Sequence, residues 1–275
     1  SPFLAAGGPD NDRNHALRPS AHGPLPARLP SDLIQVAGVL DLAEAGMLVA
    51  AGVQALGIPL RLDVHAPDLT EDEAAALVAR LPAGVLAVVI TYEPRPEEAV
   101  ALCRRVGARG LQWHLDPPPT PRDRAEFAAR LAAMRRLGPE LTLIKSLVVR
   151  PGNGPGNMAA IEAAVAAFAP HVDAFITDTF DPSTGAMGAT GLAHDWAVSR
   201  RVVELSPRPV ILAGGLTPGN VAAAIAAVQP AGVDAHSGLE TPDGRKDPAL
   251  VAAFVARARA AFAALSRPDA PSPAR

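Results

Sequence analysis

Short, continuously apolar segments alternate with longer alanine-rich amphipathic segments along most of this chain. Such apolar runs are typical of strands buried on both faces, and the amphipathic segments have the apolar stripe of helices that cover a sheet. The predicted strands are Leu33–Ala37, Ala55–Leu60, Val85–Ile90, Gly110–Trp113, Leu141–Leu147, Ala174–Thr177, Val210–Ala213 and Gly232–Ala235. The predicted helices are Leu42–Ala51, Glu71–Leu81, Pro96–Val106, Arg122–Leu137, Met158–Phe168, His194–Leu205, Pro218–Val228 and Pro248–Leu265.

This alternation fits either a doubly wound open sheet or a closed barrel. The number of strand–helix units favours closure, and no Gly-x-Gly-x-x-Gly follows the first strand, where an open dinucleotide-binding fold would carry it. We therefore predict a single α/β domain, a (β/α)8 TIM barrel, over residues 33–265. Residues 1–32 and 266–275 lack periodicity and are rich in Pro and Ala, so we expect disordered tails. The alternative for the first tail is a lid or a partner-binding segment.

Composition narrows the functional classes. The 275 residues are 49% hydrophobic, and the net charge of −3 predicts neither a nucleic-acid partner nor an acidic membrane surface. No uninterrupted apolar stretch approaches the roughly 18 residues that span a bilayer. The single cysteine, Cys103, excludes an internal disulfide and fits a reducing compartment, so we expect a cytoplasmic protein. No His or Cys pair has metal-ligand spacing, so we predict no metal and no cofactor.

Two turns late in the chain predict a phosphate site. The seventh predicted strand ends in Gly214 and Gly215, and the eighth is followed by Ser237 and Gly238. Residues without bulky side chains let backbone N–H groups approach an anion closely, and barrels often hold phosphate after these two strands. Either turn alone is more often a plain connection. A third loop, residues 179–191, ends in small residues and could fold over a substrate.

Asp178 follows the sixth predicted strand, at the end of the barrel where barrel chemistry occurs. A partly shielded carboxylate there could act as a general acid or base. The alternative is a helix N-cap or a salt-bridged carboxylate.

At this point the chain resembles the phosphoribosylanthranilate isomerase family of tryptophan biosynthesis. The resemblance covers roughly Leu33 to Leu265 and is strongest in three C-terminal stretches. Residues 188–196 (GATGLAHDW) resemble the family's Gly-Gly-Thr-Gly-Lys-x-Phe-Asp-Trp, and residues 210–221 (VILAGGLTPGNV) resemble its Leu-x-Gly-Gly-Leu-x-Pro-x-Asn-Val. Residues 234–247 (DAHSGLETPDGRKD) resemble its Asp-x-Ser-Ser-Gly-Val-Glu and Gly-x-Lys-Asp. Residues 112–114 (QWH) and 144–145 (IK) resemble its Gln-Leu-His and Ile-Lys.

The resemblance implies a (β/α)8 barrel that binds a phosphorylated small molecule. Asp178 would be the general acid that assists ring opening of a ribosyl amine, and His114 would contact the substrate. The phosphate would be bound by Gly191, Gly214, Gly215, Ser237 and Gly238. We expect a monomer or a homodimer.

The departures from the family pattern concern the first two strands. The family's Lys-Ile-Cys-Gly, whose thiol is the general base, corresponds to Gln35–Gly38 here, so Ala37 stands where the thiol would be. The family's carboxylate-binding Arg in the second loop has no clean match, and Arg61, Asp63 and His65 occupy that loop instead. Asp41, Asp63 and His65 are candidate substitute bases, although Asp41 is more often the N-cap of the first helix and the other two are more often surface loop residues.

Three functional hypotheses follow. The first is a family isomerase with a substitute base. The second, which we favour at this stage, is an enzyme with a diverged reaction on a phosphosugar conjugate, in secondary metabolism. The third is a non-catalytic phosphosugar-binding barrel, which Asp178 disfavours because a binder needs no acid. Because a positioned base typically contributes about 10²–10⁴ in rate, Ala37 predicts little phosphoribosylanthranilate isomerase activity.

Overall fold

The structure, a computed structural model, describes residues 29–63, 67–116, 120–149, 155–179 and 196–266. Eight parallel strands form a closed barrel in chain order, and a helix follows each strand. The strands are β1 (Leu33–Ala37), β2 (Ala55–Pro59), β3 (Leu86–Thr91), β4 (Gly110–Trp113), β5 (Thr142–Val149), β6 (Ala174–Thr179), β7 (Val210–Leu212) and β8 (Gly232–Ala235). The helices are α1 (Leu42–Ala50), α2 (Glu71–Val78), α3 (Pro96–Val106), α4 (Pro121–Leu137), α5 (Pro155–Phe168), α6 (Trp196–Leu205), α7 (Val221–Val228) and α8 (Pro248–Leu265). The predicted barrel is confirmed.

Closure follows from the two apolar faces of each strand. Alternate residues of a strand point to opposite faces, so one set fills the barrel and the other packs under the helices. In β1, Ile34 and Val36 belong to the large cluster beneath the helices, whereas Leu33 and Ala37 belong to a second cluster inside the barrel. An open sheet would leave β1 with one partner, but it pairs with both β2 and β8.

The predicted and observed boundaries differ by at most three residues. Shifts of three residues occur at the end of α2, at the start of α5 and at the start of α7, which begins at Val221 rather than Pro218. Before it, the amide of Thr217 donates to Asn220 Oδ1 at 2.8 Å, and the Asn220 side chain donates to the carbonyl of Gly215 at 2.9 Å. These bonds hold residues 217–220 as a turn, which delays the start of the helix.

Helix α8 has the length and composition of a membrane span, with 18 residues and a mean hydropathy of 1.5. In the barrel it packs against α7, α1 and the segment after β8. Its apolar side is buried through Val251, Phe254 and Ala258, and Arg257 donates to the carbonyl of Pro218. The structure therefore gives this helix a place in the outer layer of the barrel.

Candidate active site

The carboxyl ends of the eight strands surround one mouth, and alternation decides which side chains point into it. On β6, Ala174 and Ile176 lie inside the barrel and Phe175 lies beneath the helices. Asp178 therefore points inward, and only 6% of it is exposed. The same alternation turns Tyr92, His114 and His236 inward, each just beyond the end of its strand.

A polar layer lies one level below the mouth. Gln35 Nε2 donates to Gln112 Oε1 across the barrel at 3.1 Å, and Asp234 is paired in register with Gln35 on the neighbouring strand. Burial raises the pKa of Asp234 well above its ordinary value, and the nearby Asp178 carboxylate adds to the rise. Neither Asp234 Oδ1 nor Gln35 Oε1 accepts a hydrogen bond from any of the described residues. A neutral Asp234 carries a proton and removes the cost of burying a charge here.

Asp178 lies near two other buried groups. Burial raises the pKa of the Tyr92 hydroxyl, and the charge of Asp178 raises it further. The phenol is therefore a proton donor and not a base at physiological pH. Since Asp178 also influences the pKa of Asp234, its carboxyl group lies over the polar layer and faces the mouth. This placement agrees with the position predicted for a general acid.

The inward histidine after β4 is built into the wall of the mouth. His114 Nδ1 lies 2.7 Å from Ser146 Oγ, and its ring meets that of Tyr92 edge-on with centroids 5.2 Å apart. Only 3% of His114 is exposed. These contacts orient the ring toward the interior, where a substrate contact is expected.

The two predicted phosphate turns touch each other. Gly214 and Gly215 have φ of +93° and +66°, a conformation that glycine adopts without strain. A Cβ on Gly238 would lie 2.0 Å from the carbonyl oxygen of Leu216, so only glycine lets the β8 turn pack this closely on the β7 turn. A short 3-10 helix, Ser237–Leu239, follows β8 at this junction. The structure thus brings four of the five predicted phosphate residues together.

The ends of β1 and β8 hold a charged cluster. Gly38 has φ of +76°, and a Cβ there would lie 2.1 Å from His236 Nε2, so the imidazole occupies the space beside a bare backbone. His236 Nε2 lies 3.2 Å from Glu240 Oε1. Lys246 Nζ, fully buried, donates to the same oxygen at 2.6 Å and to the carbonyl of Gly38 at 3.2 Å. Burial alone would raise the pKa of Glu240, but the hydrogen bonds from His236 and Lys246 lower it to about 2.

Asp41 has the contacts of the capping alternative. Its Oδ1 accepts from the amide of Glu44 at 2.8 Å at the N-terminus of α1, and its other oxygen pairs with Arg245. Both oxygens are therefore bound to protein groups, and nothing in this arrangement favours the substitute-base hypothesis over the cap.

Arg61, predicted to contact the substrate, is held by carboxylates of the protein. Its guanidinium donates to Glu71 at 2.8 Å, to Glu93 at 3.2 Å and to Glu98 at 3.4 Å. Three carboxylates already neutralise this cation, so a substrate carboxylate would have to displace them. These contacts favour a role for Arg61 in holding the loop after β2, and the substrate contact stays a prediction.

Two other reactive side chains lie away from the mouth. Lys145 is fully buried, donates to the carbonyls of Leu115 and Ser146, and lies over the rings of Trp113 and Phe168. Burial lowers the pKa of Lys145 to about 8. Cys103 lies on the buried face of α3, where burial raises its pKa to about 12. Neither side chain reaches the interior of the barrel.

Two predicted site residues, His65 and Gly191, lie outside the described residues, as does most of the 179–191 loop. Among the residues that the structure does describe, no group of three His, Cys, Asp or Glu is placed to hold a metal ion. Conversely, the sequence interpretation overlooked Tyr92, Asp234, His236 and Glu240. Asp178 was identified by its position after an apolar strand, and His236 follows β8 in the same way, so the signal was available.

The fold and site define a (β/α)8 barrel whose mouth combines an inward carboxyl group, two inward histidines and two small-residue turns. The family model for N-(5'-phosphoribosyl)anthranilate isomerase matches residues 140–257. The N-(5'-phosphoribosyl)anthranilate isomerase 2 of Methanosarcina mazei is 36% identical over 83% of this chain and 95% of its own. The N-(5'-phosphoribosyl)anthranilate isomerase of Halobacterium salinarum is 38% identical over 82% of this chain and 95% of its own.

A solved structure shows the same fold. It is a phosphoribosyl anthranilate isomerase in complex with reduced 1-(o-carboxyphenylamino)-1-deoxyribulose 5-phosphate. It is 23% identical, covers 83% of this chain and 99% of its own, and has a TM-score of 0.64. The chain belongs to the N-(5'-phosphoribosyl)anthranilate isomerase family. Membership supports an isomerase-type function, and it gives no support to a diverged reaction or a non-catalytic role.

Proposed function

We propose that this protein is an isomerase that converts an N-(5'-phosphoribosyl) arylamine, of which N-(5'-phosphoribosyl)anthranilate is the first candidate, into the 1-amino-1-deoxyribulose 5-phosphate by an Amadori rearrangement. The observation that carries the proposal is the joint position of the inward Asp178 and the two touching turns at Gly215 and Gly238. One group can give a proton to the sugar ring, and the other can hold the phosphate.

The phosphate end supplies binding energy away from the reacting bonds. Backbone N–H groups at glycine turns bind an oxyanion without requiring a charged side chain. Binding energy gained there positions the ribose ring over the mouth, so its anomeric carbon can approach the inward acid.

Asp178 would act first. Protonation of the ring oxygen breaks the bond between that oxygen and C1, and the arylamine nitrogen forms an iminium with C1. A proton then leaves C2 to give the enolamine, which becomes the ketone. Asp178 is buried beside Tyr92 and Asp234, which give it a polar surrounding, and burial raises the pKa of both of these neighbours.

A steady-state assay with freshly generated N-(5'-phosphoribosyl)anthranilate tests the proposal. We expect conversion with a kcat on the order of 1 s⁻¹ or more. The same compound without its phosphate, N-ribosylanthranilate, should be a poor substrate because the phosphate turns would bind nothing. No conversion of the phosphorylated compound, together with binding of the product analogue, would favour the non-catalytic alternative.

One observation favours a second candidate that differs only in the substrate. Arg61 is neutralised by three glutamates, so none of the described residues after β2 offers an uncommitted guanidinium to the anthranilate carboxylate. The same rearrangement on an arylamine that lacks this carboxylate is the alternative. A comparison of phosphoribosylated aniline with phosphoribosylanthranilate decides between them through kcat/KM.

A further inference from the structure

The Amadori rearrangement needs a base as well as an acid, and the described mouth offers few. Ala37 at the end of β1 has no proton-accepting group. Tyr92 holds its proton, and Asp234 is neutral and lies one level below. Asp41 is bound at the N-terminus of α1 and by Arg245. Asp63 and Asp116 are carboxylates on the loops after β2 and β4, and their charges act on Tyr92. The other candidate bases are the inward histidines, and their surroundings differ.

We propose that His236, held by Glu240, is the general base that removes the C2 proton in this enzyme. This inference rests on the proposed function, because it assigns a step of that reaction.

The first argument is position. β1 and β8 are paired in register from Leu33–Gly232 to Val36–Ala235, so the next pair toward the mouth is Ala37 and His236. Side chains at equal register on neighbouring parallel strands lie on the same face, about 5 Å apart. The small methyl group of Ala37 and the bare backbone of Gly38 leave room for an imidazole here. Ala37 therefore provides no base at the end of β1, and His236 at the end of the neighbouring strand β8 provides one.

The second argument is orientation. The ring tip of His236 faces Gly38, and its Nε2 contacts Glu240 Oε1 at 3.2 Å. Because Glu240 is ionised, it accepts a hydrogen bond, which places the proton of the neutral imidazole on Nε2. The lone pair is then on Nδ1, on the other side of the ring. A carboxylate that fixes the tautomer of a histidine base in this way also stabilises the imidazolium that forms.

The third argument is charge. Among the described residues, the charged group that contacts this histidine is Glu240, and Lys246 is bound to that carboxylate and to the carbonyl of Gly38. The Lys246 amide donates to Glu44 Oε1 at 2.8 Å, which ties the cluster to α1. Glu240 therefore has two hydrogen-bond donors and a fixed position. His236 remains 23% exposed at its side chain, so a substrate can reach it.

The proposed step balances without a further reactant. The C2–H bond breaks and its proton goes to His236 Nδ1. The electron pair forms the C1=C2 bond, and the electrons of the C1=N bond return to the nitrogen of the iminium. The enolamine then takes a proton at C1 from His236 and gives the proton of its C2 hydroxyl to Asp178, so both groups are regenerated and substrate and product are isomers.

His236→Gln is the main test because the glutamine amide can still donate to Glu240 but cannot take a proton at physiological pH. We expect kcat to fall by about 10²–10⁴, with KM changed by less than about threefold. The wild-type kcat/KM should fall on the acid side, where the base is protonated, and the variant should lose this acid limb. Substrate deuterated at C2 should give a larger isotope effect in the variant, since proton removal becomes slower than ring opening.

Matched variants separate the roles. His171→Gln changes a histidine at the far end of the barrel, just before β6, and should leave kcat unchanged. Glu240→Gln tests a positioning residue: it should move the acid limb to lower pH and lower kcat by less than His236→Gln. Ala37→Cys combined with His236→Gln should recover part of the lost rate if a thiol at the adjacent position can reach the same proton. Circular dichroism establishes that each variant is folded.

The outcomes distinguish the two proposals. Wild-type protein with no isomerase activity on either phosphoribosyl arylamine overturns the function and this assignment together. An active wild type with an equally active His236→Gln variant leaves the function in place and overturns His236 as the base. If His114→Gln, and not His236→Gln, loses the acid limb and shows the larger isotope effect, the assignment is likewise overturned and the base is the histidine after β4.

Discussion

The first two strands and the last two strands of the barrel differ in how closely their ends match the family pattern. At β7 and β8, the small residues of the phosphate turns are present, and their turns fit together through a contact that only glycine permits. At β1 and β2, the thiol position is Ala37 and the loop guanidinium of Arg61 is taken by three carboxylates. The residues predicted for phosphate recognition are therefore retained in the sequence, whereas the positions predicted to meet the rest of the substrate depart from the family pattern.

In the proposed mechanism, the site keeps its chemistry while the role of general base moves from the end of β1 to the end of the neighbouring strand β8. The ends of β1 and β8 are adjacent because the barrel closes between them. A proton acceptor on either strand faces the same part of the mouth. A substitution at one strand end can thus be compensated at the other without a change in the fold.

The largest effect is expected at Asp178, because the proposed reaction needs this acid whichever strand supplies the base. Asp178→Asn keeps the shape of the side chain but removes the transferable proton, so kcat should fall by about 10²–10⁴ while KM changes little. Steady-state kinetics measure this. The matched control is Asp173→Asn, just before the other end of the same strand, where the carboxylate pairs with Arg135 and accepts from the amide of Leu143. Equal activities of the two variants would remove Asp178 from the mechanism.

A smaller effect is expected at the phosphate end. Gly215→Asp would place a carboxylate against the bound oxyanion and should weaken binding of the product analogue more than about tenfold, or about 1.4 kcal/mol, by calorimetry. Gly215→Asn is the control, because Asn tolerates the positive φ of this position and carries no charge. If both variants bind equally weakly, backbone strain and not phosphate repulsion is the cause. Unchanged binding in both would place the phosphate elsewhere.

Most of the fold could be predicted because continuously apolar runs and helix amphipathicity are local signals. The turn before α7 could not, because it depends on the Asn220 side chain closing back on Gly215 and Thr217. The candidate site was predictable where a single residue type carries the signal, as at Gly214, Gly215 and Asp178.

The rest of the site depends on neighbours that are distant in sequence. The roles of Arg61 and His236 are set by contacts across strands, Arg61 with Glu93 and Glu98, and His236 with Gly38. Asp234 similarly owes its neutrality to burial and to Asp178. No linear spacing between these residues indicates that they meet.

The polar layer beneath the mouth should have a moderate effect on stability. The folded protein keeps the proton of Asp234, whereas the unfolded chain releases it above the ordinary pKa of 3.8. The folded state then binds more protons, so this residue lowers the free energy of unfolding as pH rises through the raised folded-state pKa. Asp234→Asn removes that loss. We expect the variant to be more stable than wild type at pH 7 by about 0.5–3 kcal/mol in urea denaturation.

The difference between wild type and Asp234→Asn should disappear as pH falls below 3.8, where the carboxyl group is protonated in both states. Asp72→Asn, in the first turn of α2, is a control for the loss of a surface carboxylate and should show no such pH dependence of the difference. A constant gap between wild type and Asp234→Asn from pH 3 to pH 8 would mean that Asp234 is ionised in the folded barrel.

The smallest effect is expected at Asp41, and this residue tests most directly whether the base lies on the β1 side or on the β8 side of the mouth. Asn caps a helix about as well as Asp, so Asp41→Asn keeps the bond to the Glu44 amide and loses only the half-exposed pair with Arg245, worth about 0–1 kcal/mol. Stability should change by no more than that, and kcat should stay within about twofold. Asp41→Ala also removes the cap and should cost about 1 kcal/mol more in urea denaturation. If Asp41→Asn instead lowers kcat by about 10² or more without loss of stability, the base lies on the β1 side after all and His236 is a neighbour that orients it.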